Sequence, residues 1–202
     1  MSIRTVEVDE TRATPVPVAP EPPDIPGLVE KAATGDVDAF GELYAACLNP
    51  IYRYVLYHVR DTMTAEDVTE DVFFKAWKAI ASCKGRGQTF VPWLYRIAHN
   101  HTMNVLRREN RNVSLEREVV IEVEGPEEEV AARLSRKTLF DAISCLPPNQ
   151  KDVIILKFIE GLDNREIGKV INKKEGAIRV LQMRALSRLR QQLGGMEPQD
   201  AV

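Results

Sequence analysis

Five residues near the middle of the chain recur at helical intervals: Arg96, Asn100, Met103, Arg107 and Arg111 follow one another at spacings of 4, 3, 4 and 4. Such spacings put all five on one side of a helix of about four turns. Guanidinium groups pair with phosphate oxygens and an amide bonds a base edge, so this face is equipped to hold nucleic acid. Lys84 and Arg86 precede it, and Trp93 and Tyr95 add rings near the helix start, on which unpaired bases can stack. A second basic group, Lys173, Lys174 and Arg179 with Met183, lies in residues 163–193, which hold eight bases and three acids. A third set has the opposite character. Asp67, Glu70 and Asp71 share one helix side with Phe74, and an aromatic ring among acids suits docking on a basic, partly apolar protein.

The elements that carry these groups are legible in the pattern. The chain has 202 residues, 44% hydrophobic and 28% charged, with Lys+Arg 27 against Asp+Glu 30 and a net charge of −3, the composition of a soluble globular protein. That near-neutral sum is built of blocks: −5 over 61–74, +5 over 84–111, −5 over 112–135 and +5 over 163–193. No apolar run is long enough to span a bilayer, and no secretory leader is visible, so a cytoplasmic location is expected. Cys47, Cys83 and Cys145 stand far apart, which argues against disulfides and a cysteine zinc site; they read as packing residues. Enzyme chemistry is absent from the motifs. No phosphate-cradling glycine loop or nucleophile–base pair occurs, His99 and His101 point to different helix faces, and His58 stands alone, so neither metal nor cofactor is expected.

Residues 1–26 contain six of the twelve prolines and read as a disordered tail. From 27 to 111 the pattern is helical. Asp36 is placed to cap a helix carrying Phe40, Leu43, Tyr44 and Cys47, with a bend expected at Pro50. Thr64 resembles the opening of a capping box for a helix that buries Val68, Val72, Ala76 and Ile80. Residues 82–88 read as a loop. Thr89 then caps a helix with Pro92 in its first turn and a buried stripe of Phe90, Leu94, Ile97, Ala98, His101 and Val105. Residues 112–130 form an acidic linker, with a short extended piece possible at Val119–Ile121. A second helical domain covers 131–193, its first helix striped by Val130, Leu134, Leu139 and Ile143, and residues 194–202 are a tail. Asn164 to Leu193 has the proportions of a helix-turn-helix packed through Ile167, Val170, Ile178, Leu181, Ala185 and Leu189. The fold class expected is all-α, as two small helical domains on a flexible acidic linker.

Several runs in this order resemble one family. Gly35-Asp36, Ala39-Phe40, Leu43-Tyr44, Ala65-Glu66-Asp67-Val68, Asp71-Val72-Phe73, Ala76-Trp77 and Trp93-Leu94-Tyr95-Arg96-Ile97-Ala98-His99-Asn100 are similar to domain 2 of extracytoplasmic-function (ECF) sigma factors. Leu146-Pro147, Gly161-Leu162, Glu166-Ile167, Glu175-Gly176-Ala177-Ile178-Arg179 and Arg184-Ala185-Leu186 are similar to their domain 4. The resemblance implies a dissociable, non-enzymatic subunit of bacterial RNA polymerase that recognises promoters and starts transcription. It further implies that Asp67, Glu70, Asp71 and Phe74 dock on the β′ clamp helices of core polymerase. Lys84, Arg86, Trp93, Arg96, Asn100, Met103, Asn104, Arg107 and Arg111 would read a −10 element, with one base flipped from the stack. Lys173, Lys174, Glu175, Arg179 and Met183 would read a −35 element, the outer apolar surface of that domain would meet the β flap, and an anti-sigma factor would be a further partner. Glu70, Asn104 and Val180-Leu181-Gln182 depart from commoner family residues, so no −35 sequence follows from the helix.

The 19 residues of 112–130 reach at most roughly 65 Å when extended. Two turns of duplex measure about 70 Å, which this reach and two domain radii can bridge. Two other readings stay open on the residues: a helical mimic that only sequesters an anti-sigma protein, and a stand-alone helix-turn-helix repressor. The basic faces disfavour the first and the acidic-aromatic face the second.

Overall fold

The computed structural model describes residues 23–83, 87–109 and 130–194. Lys84, Arg86, Arg111, most of the proline-rich tail and the linker up to residue 129 lie outside the described residues, as does the Val119–Ile121 piece. Every regular element among the described residues is a helix: α1 (Ile25–Ala33), α2 (Val37–Val59), α3 (Thr62–Ala79), α4 (Phe90–Glu109), α5 (Val130–Ser144), α6 (Pro148–Ile154), α7 (Asn164–Val170) and α8 (Glu175–Gly194). None of them is long and apolar enough to cross a membrane.

Capping carboxylates start three of the first four-helix bundle's members. Asp24 accepts from the Gly27 N–H and Asp36 from the Ala39 N–H, each satisfying a donor that the helix itself leaves unpaired. At α3 the cap is Asp61, not Thr64. The Thr64 N–H (2.9 Å) and its hydroxyl (2.5 Å) both donate to Asp61 Oδ2, so the threonine falls inside the helix. A carboxylate also complements the positive end of the helix dipole, which a hydroxyl does not. Asp61→Ala should therefore cost about 1 kcal/mol, read as a lower denaturant midpoint with an unchanged slope. Helix α2 runs through Pro50 and closes at Arg60, whose φ of 56° is left-handed.

The first bundle buries Leu43, Ile51, Tyr54 and Val55 of α2 against Val68, Val72 and Ala76 of α3 and Leu94 and Ala98 of α4. In the second, Ile143, Val153, Leu156, Ile167, Ile178 and Ala185 form the core. Leu139, expected inside, is exposed while its neighbour Phe140 is buried against Tyr57, with ring centroids 4.7 Å apart. After α6 the chain makes a π-helical turn at Ile155–Ile159, with the Glu160 N–H reaching back to Ile155 O at 3.0 Å. That wider turn leaves Phe158 exposed. Gly161, at φ 76°, ends it in a conformation that costs other residues a Cβ clash. Cys47 and Cys83 are buried as packing residues, and burial pushes the Cys47 thiol up to about 11. Cys145 is exposed, because it follows α5 at a turn where the chain leaves the core.

The two bundles meet directly: α4 lies on α7, and α2 lies on α5.

Candidate nucleic-acid interface

Helix α3 presents its apolar stripe inward, as expected, and Asp67, Glu70, Asp71 and Phe74 outward. Phe74 is 57% exposed, with the Lys78 ammonium 4.0 Å over its ring centroid. Asp71 is turned toward α4, where its Oδ2 lies 2.8 Å from His101 Nε2, and Lys75 Nζ lies 2.6 Å from His101 Nδ1. His101 is thus half-buried at the α3–α4 seam rather than part of the core stripe, since its two ring nitrogens need polar partners. Asp67 and Glu70 carry the open negative charge of this face.

Helix α4 starts directly after Thr89 and holds Pro92 in its first turn, where a missing N–H costs nothing. Arg96, Asn100, Asn104 and Arg107 are exposed along one side, and Met103 and Trp93 are half-buried beside them. Trp93 packs against Phe90, with centroids 5.7 Å apart, leaving part of its ring at the surface. The expected role of Tyr95 as a stacking ring is not supported. It is buried, and its hydroxyl donates to Glu160 Oε2 of the second bundle at 2.7 Å. Burial and that carboxylate push its hydroxyl far up, so it stays protonated. Phe90, Leu94 and Ala98 of the expected stripe are buried, Ile97 and Val105 pack half-buried against the core, and Tyr95 and Thr102 are buried beside them.

The second basic face is built on α7 and α8. Asp163 and Glu166 form a reciprocal capping box at the start of α7. Asn172, at φ 54°, turns the chain, and the Lys173 N–H donates back to Gly168 O at 2.9 Å. The turn sends Lys174, Glu175, Arg179 and Met183 to the surface, Met183 being 66% exposed; Lys173 is half-buried, since it still belongs to the turn. Glu175 and Arg179 pair with each other one turn apart. Beneath them Ile167, Val170, Ile178, Ala185 and Leu189 are buried as expected, and Leu181 packs half-buried at their edge.

One cluster was not legible in the sequence. His58 does not stand alone: its Nε2 lies 3.0 Å from Asp152 Oδ1, and the same oxygen accepts from the Tyr54 hydroxyl (2.6 Å) and lies 3.3 Å from His99 Nδ1. Burial alone would raise the Asp152 carboxyl, but the hydrogen bonds and charges of His58 and His99 outweigh it and hold the group well below the usual carboxylate range. The one available signal was a lone acid opening the apolar run Val153 to Leu156. No group of these residues among those described has the makings of a metal site.

Two helical bundles thus carry an acidic-aromatic flank, an Arg/Asn-lined helix and a basic helix-turn-helix on one chain. The sigma-70 region 2 pattern matches residues 43–112 and the sigma-70 region 4 pattern residues 136–189. The chain is 30% identical over 165 residues to the ECF RNA polymerase sigma-E factor of Haemophilus influenzae, covering 75% of this chain and 86% of that one. It is 37% identical over 166 residues to the ECF RNA polymerase sigma factor BldN of Streptomyces coelicolor, covering 80% of this chain, and spans 63% of that relative's length. Among solved structures, the sigma factor RpoE of Bartonella quintana, crystallised with the anti-sigma factor NepR, shares the fold with a TM-score of 0.65 at 20% identity, over 80% of this chain and 100% of that one. The chain belongs to the ECF family of RNA polymerase sigma factors. It is an alternative sigma factor that directs promoter recognition and transcription initiation.

Proposed function

We propose that this chain works as a dissociable, non-enzymatic cytoplasmic subunit whose three faces divide the labour of initiation. The acidic-aromatic flank of α3 grips the clamp helices of core polymerase through Asp67, Glu70, Asp71 and Phe74. The Arg96–Asn100–Asn104–Arg107 face of α4, with Trp93 and Met103 beside it and Lys84, Arg86 and Arg111 as further contributors before and after it in sequence, takes the −10 strand. Extruding a base there costs a few kcal/mol, which contacts to the strand offset. Lys173, Lys174, Glu175, Arg179 and Met183 read the −35 duplex from α8 and the turn before it. The units that do this are residues 27–111 and 131–193, joined by 112–130. The observation that carries the reading is the outward placement of both basic faces while the apolar stripes beneath them are buried. Promoter DNA and core polymerase are the partners, and an anti-sigma factor is proposed by analogy with the RpoE–NepR pair.

Run-off transcription with core polymerase on genomic templates tests the assignment: specific transcripts that depend on the added chain are expected, and none from a repressor or a mimic. The two basic faces have a separable signature. Lys174→Ala and Arg107→Ala should each flatten the slope of log K against log salt by about one counterion, measured on holoenzyme–promoter complexes. Unchanged slopes would place those side chains away from phosphate.

A further inference from the structure

A cleft of about 280 Å³ opens on the first bundle where α1, α2 and α4 come together, and no described residue fills it. Ile25 of α1, Cys47 and Ile51 of α2, and Val91 and Leu94 of α4 give it apolar walls. Its one ionised side chain, Glu160, comes from the second bundle. That carboxylate is already engaged, by Arg53 at 2.8 Å and by the Tyr95 hydroxyl at 2.7 Å. The cleft therefore offers a ligand apolar surface and no free charge.

The chain's own N-terminal segment begins at this cleft. Pro23 is one of its lining residues, and it is held in place. The Pro23 carbonyl oxygen accepts from the Ile25 N–H at 2.9 Å, and Asp24 caps α1. Pro26 lies so close to Gly87 that a Cβ on the glycine would come 2.6 Å from the Pro26 backbone. Residues 1–22 thus depart from the wall of the cleft itself. Their composition is uneven. Arg4, Glu7, Asp9, Glu10 and Arg12 crowd the first part, whereas Ala13–Pro20 (ATPVPVAP) carries no charge. Val18 and Val16 stand five and seven residues before Pro23, within roughly 18 and 25 Å of it at full extension. This uncharged stretch matches the cleft in polarity. Its prolines restrict the free backbone, so docking costs less conformational freedom than for an ordinary segment. The tether also gives it an effective concentration on the order of millimolar, which a diffusing partner must exceed.

We propose that Ala13–Pro20 folds back into this cleft as an intramolecular strap, seating Val16 and Val18 against Cys47, Ile51 and Leu94. The strap ties α1 and α2 to the opening turns of α4, the helix whose other side is the proposed −10 face. It stands whether or not that face binds DNA.

Cys47 reports on the cleft, while Cys83, also buried but not among the lining residues, reports on the bundle as a whole. The test uses the full chain as wild type, as Val16→Asp/Val18→Asp and as Val6→Asp/Val8→Asp, the last placed in the charged part of the same tail. Alkylation by N-ethylmaleimide is followed at each cysteine by mass spectrometry of its peptide. Val16→Asp/Val18→Asp should speed modification of Cys47 about tenfold or more and leave Cys83 unchanged, because carboxylates do not enter an apolar cleft. Val6→Asp/Val8→Asp should match wild type at both. An unchanged Cys47 rate in Val16→Asp/Val18→Asp would overturn the strap. So would a parallel rise at Cys83, which marks general loosening, or an equal acceleration in the two variants. Protection of Cys47 that fades on dilution of the wild type would assign the cleft to a second copy of the chain and overturn the strap as well.

Discussion

Phe74→Ala is expected to weaken binding to core RNA polymerase about thirtyfold or more while leaving the chain's own stability almost unchanged. The two halves of that expectation have one cause. Phe74 is 57% exposed, so truncating it removes little buried area from the free protein, and the Lys78 ammonium lies 4.0 Å over its ring centroid. An aromatic side chain held at the centre of a charged flank is the kind of residue that dominates an interface, where truncation costs 2 kcal/mol or more, roughly thirtyfold in affinity. Its neighbours differ in worth. Asp71 already shares its charge with His101 across the α3–α4 seam, whereas Asp67 and Glu70 point away. Glu70→Lys should therefore slow association and flatten its loss with salt more than Asp71→Asn does. Fluorescence anisotropy against core polymerase, paired with thermal unfolding of the free chain, checks the claim. Equal affinity would detach this flank from polymerase docking.

How much of this was readable beforehand depends on the range of the interaction. Val68, Val72, Ala76 and Ile80 lie four apart and are all buried, so the inward face of α3, and with it the outward placement of Phe74, follows from periodicity alone. The same holds for Ile167 and Val170 beneath the second reader. Tyr95 shows where local reasoning ends. Its position borders the buried stripe, and what draws it inside is Glu160, 65 residues further on. His58 and Asp152 are separated by 94 residues, and no pattern within either helix announces that they meet. Thr64 failed for a different reason: Asp61, three residues earlier, takes the helix start because its carboxylate accepts from both the N–H and the hydroxyl of Thr64. Leu139 and Phe140 are adjacent and both apolar, so periodicity could not choose between them; the ring of Tyr57 on the other domain did.

The helix-turn-helix yields the second large effect, through a glycine whose need is spatial. Gly168 sits inside α7 with ordinary backbone angles, and its missing side chain matters because a Cβ there would come 2.6 Å from the Lys173 carbonyl oxygen. That oxygen belongs to backbone, and the Lys173 N–H is already bonded to Gly168 O at 2.9 Å, so the turn has no easy way to yield. Gly168→Ala must push the residues 172–174 outward or tilt α7 against the fully buried Ile167 and Ile178. Forced overpacking of this kind costs about 1–3 kcal/mol. The displaced residues include Lys173 and Lys174, which open the proposed −35 face, so binding to a duplex selected by the wild-type holoenzyme should fall at least about tenfold, the equivalent of 1.4 kcal/mol. Gly176→Ala is the matched control: a Cβ there meets nothing within 4 Å, and in a helix alanine is favoured over glycine by about 0.5–1 kcal/mol. Loss of stability and of −35 binding in Gly168→Ala, with both retained in Gly176→Ala, would tie the reading face to the close approach at this turn; equal behaviour of the two variants would break that link.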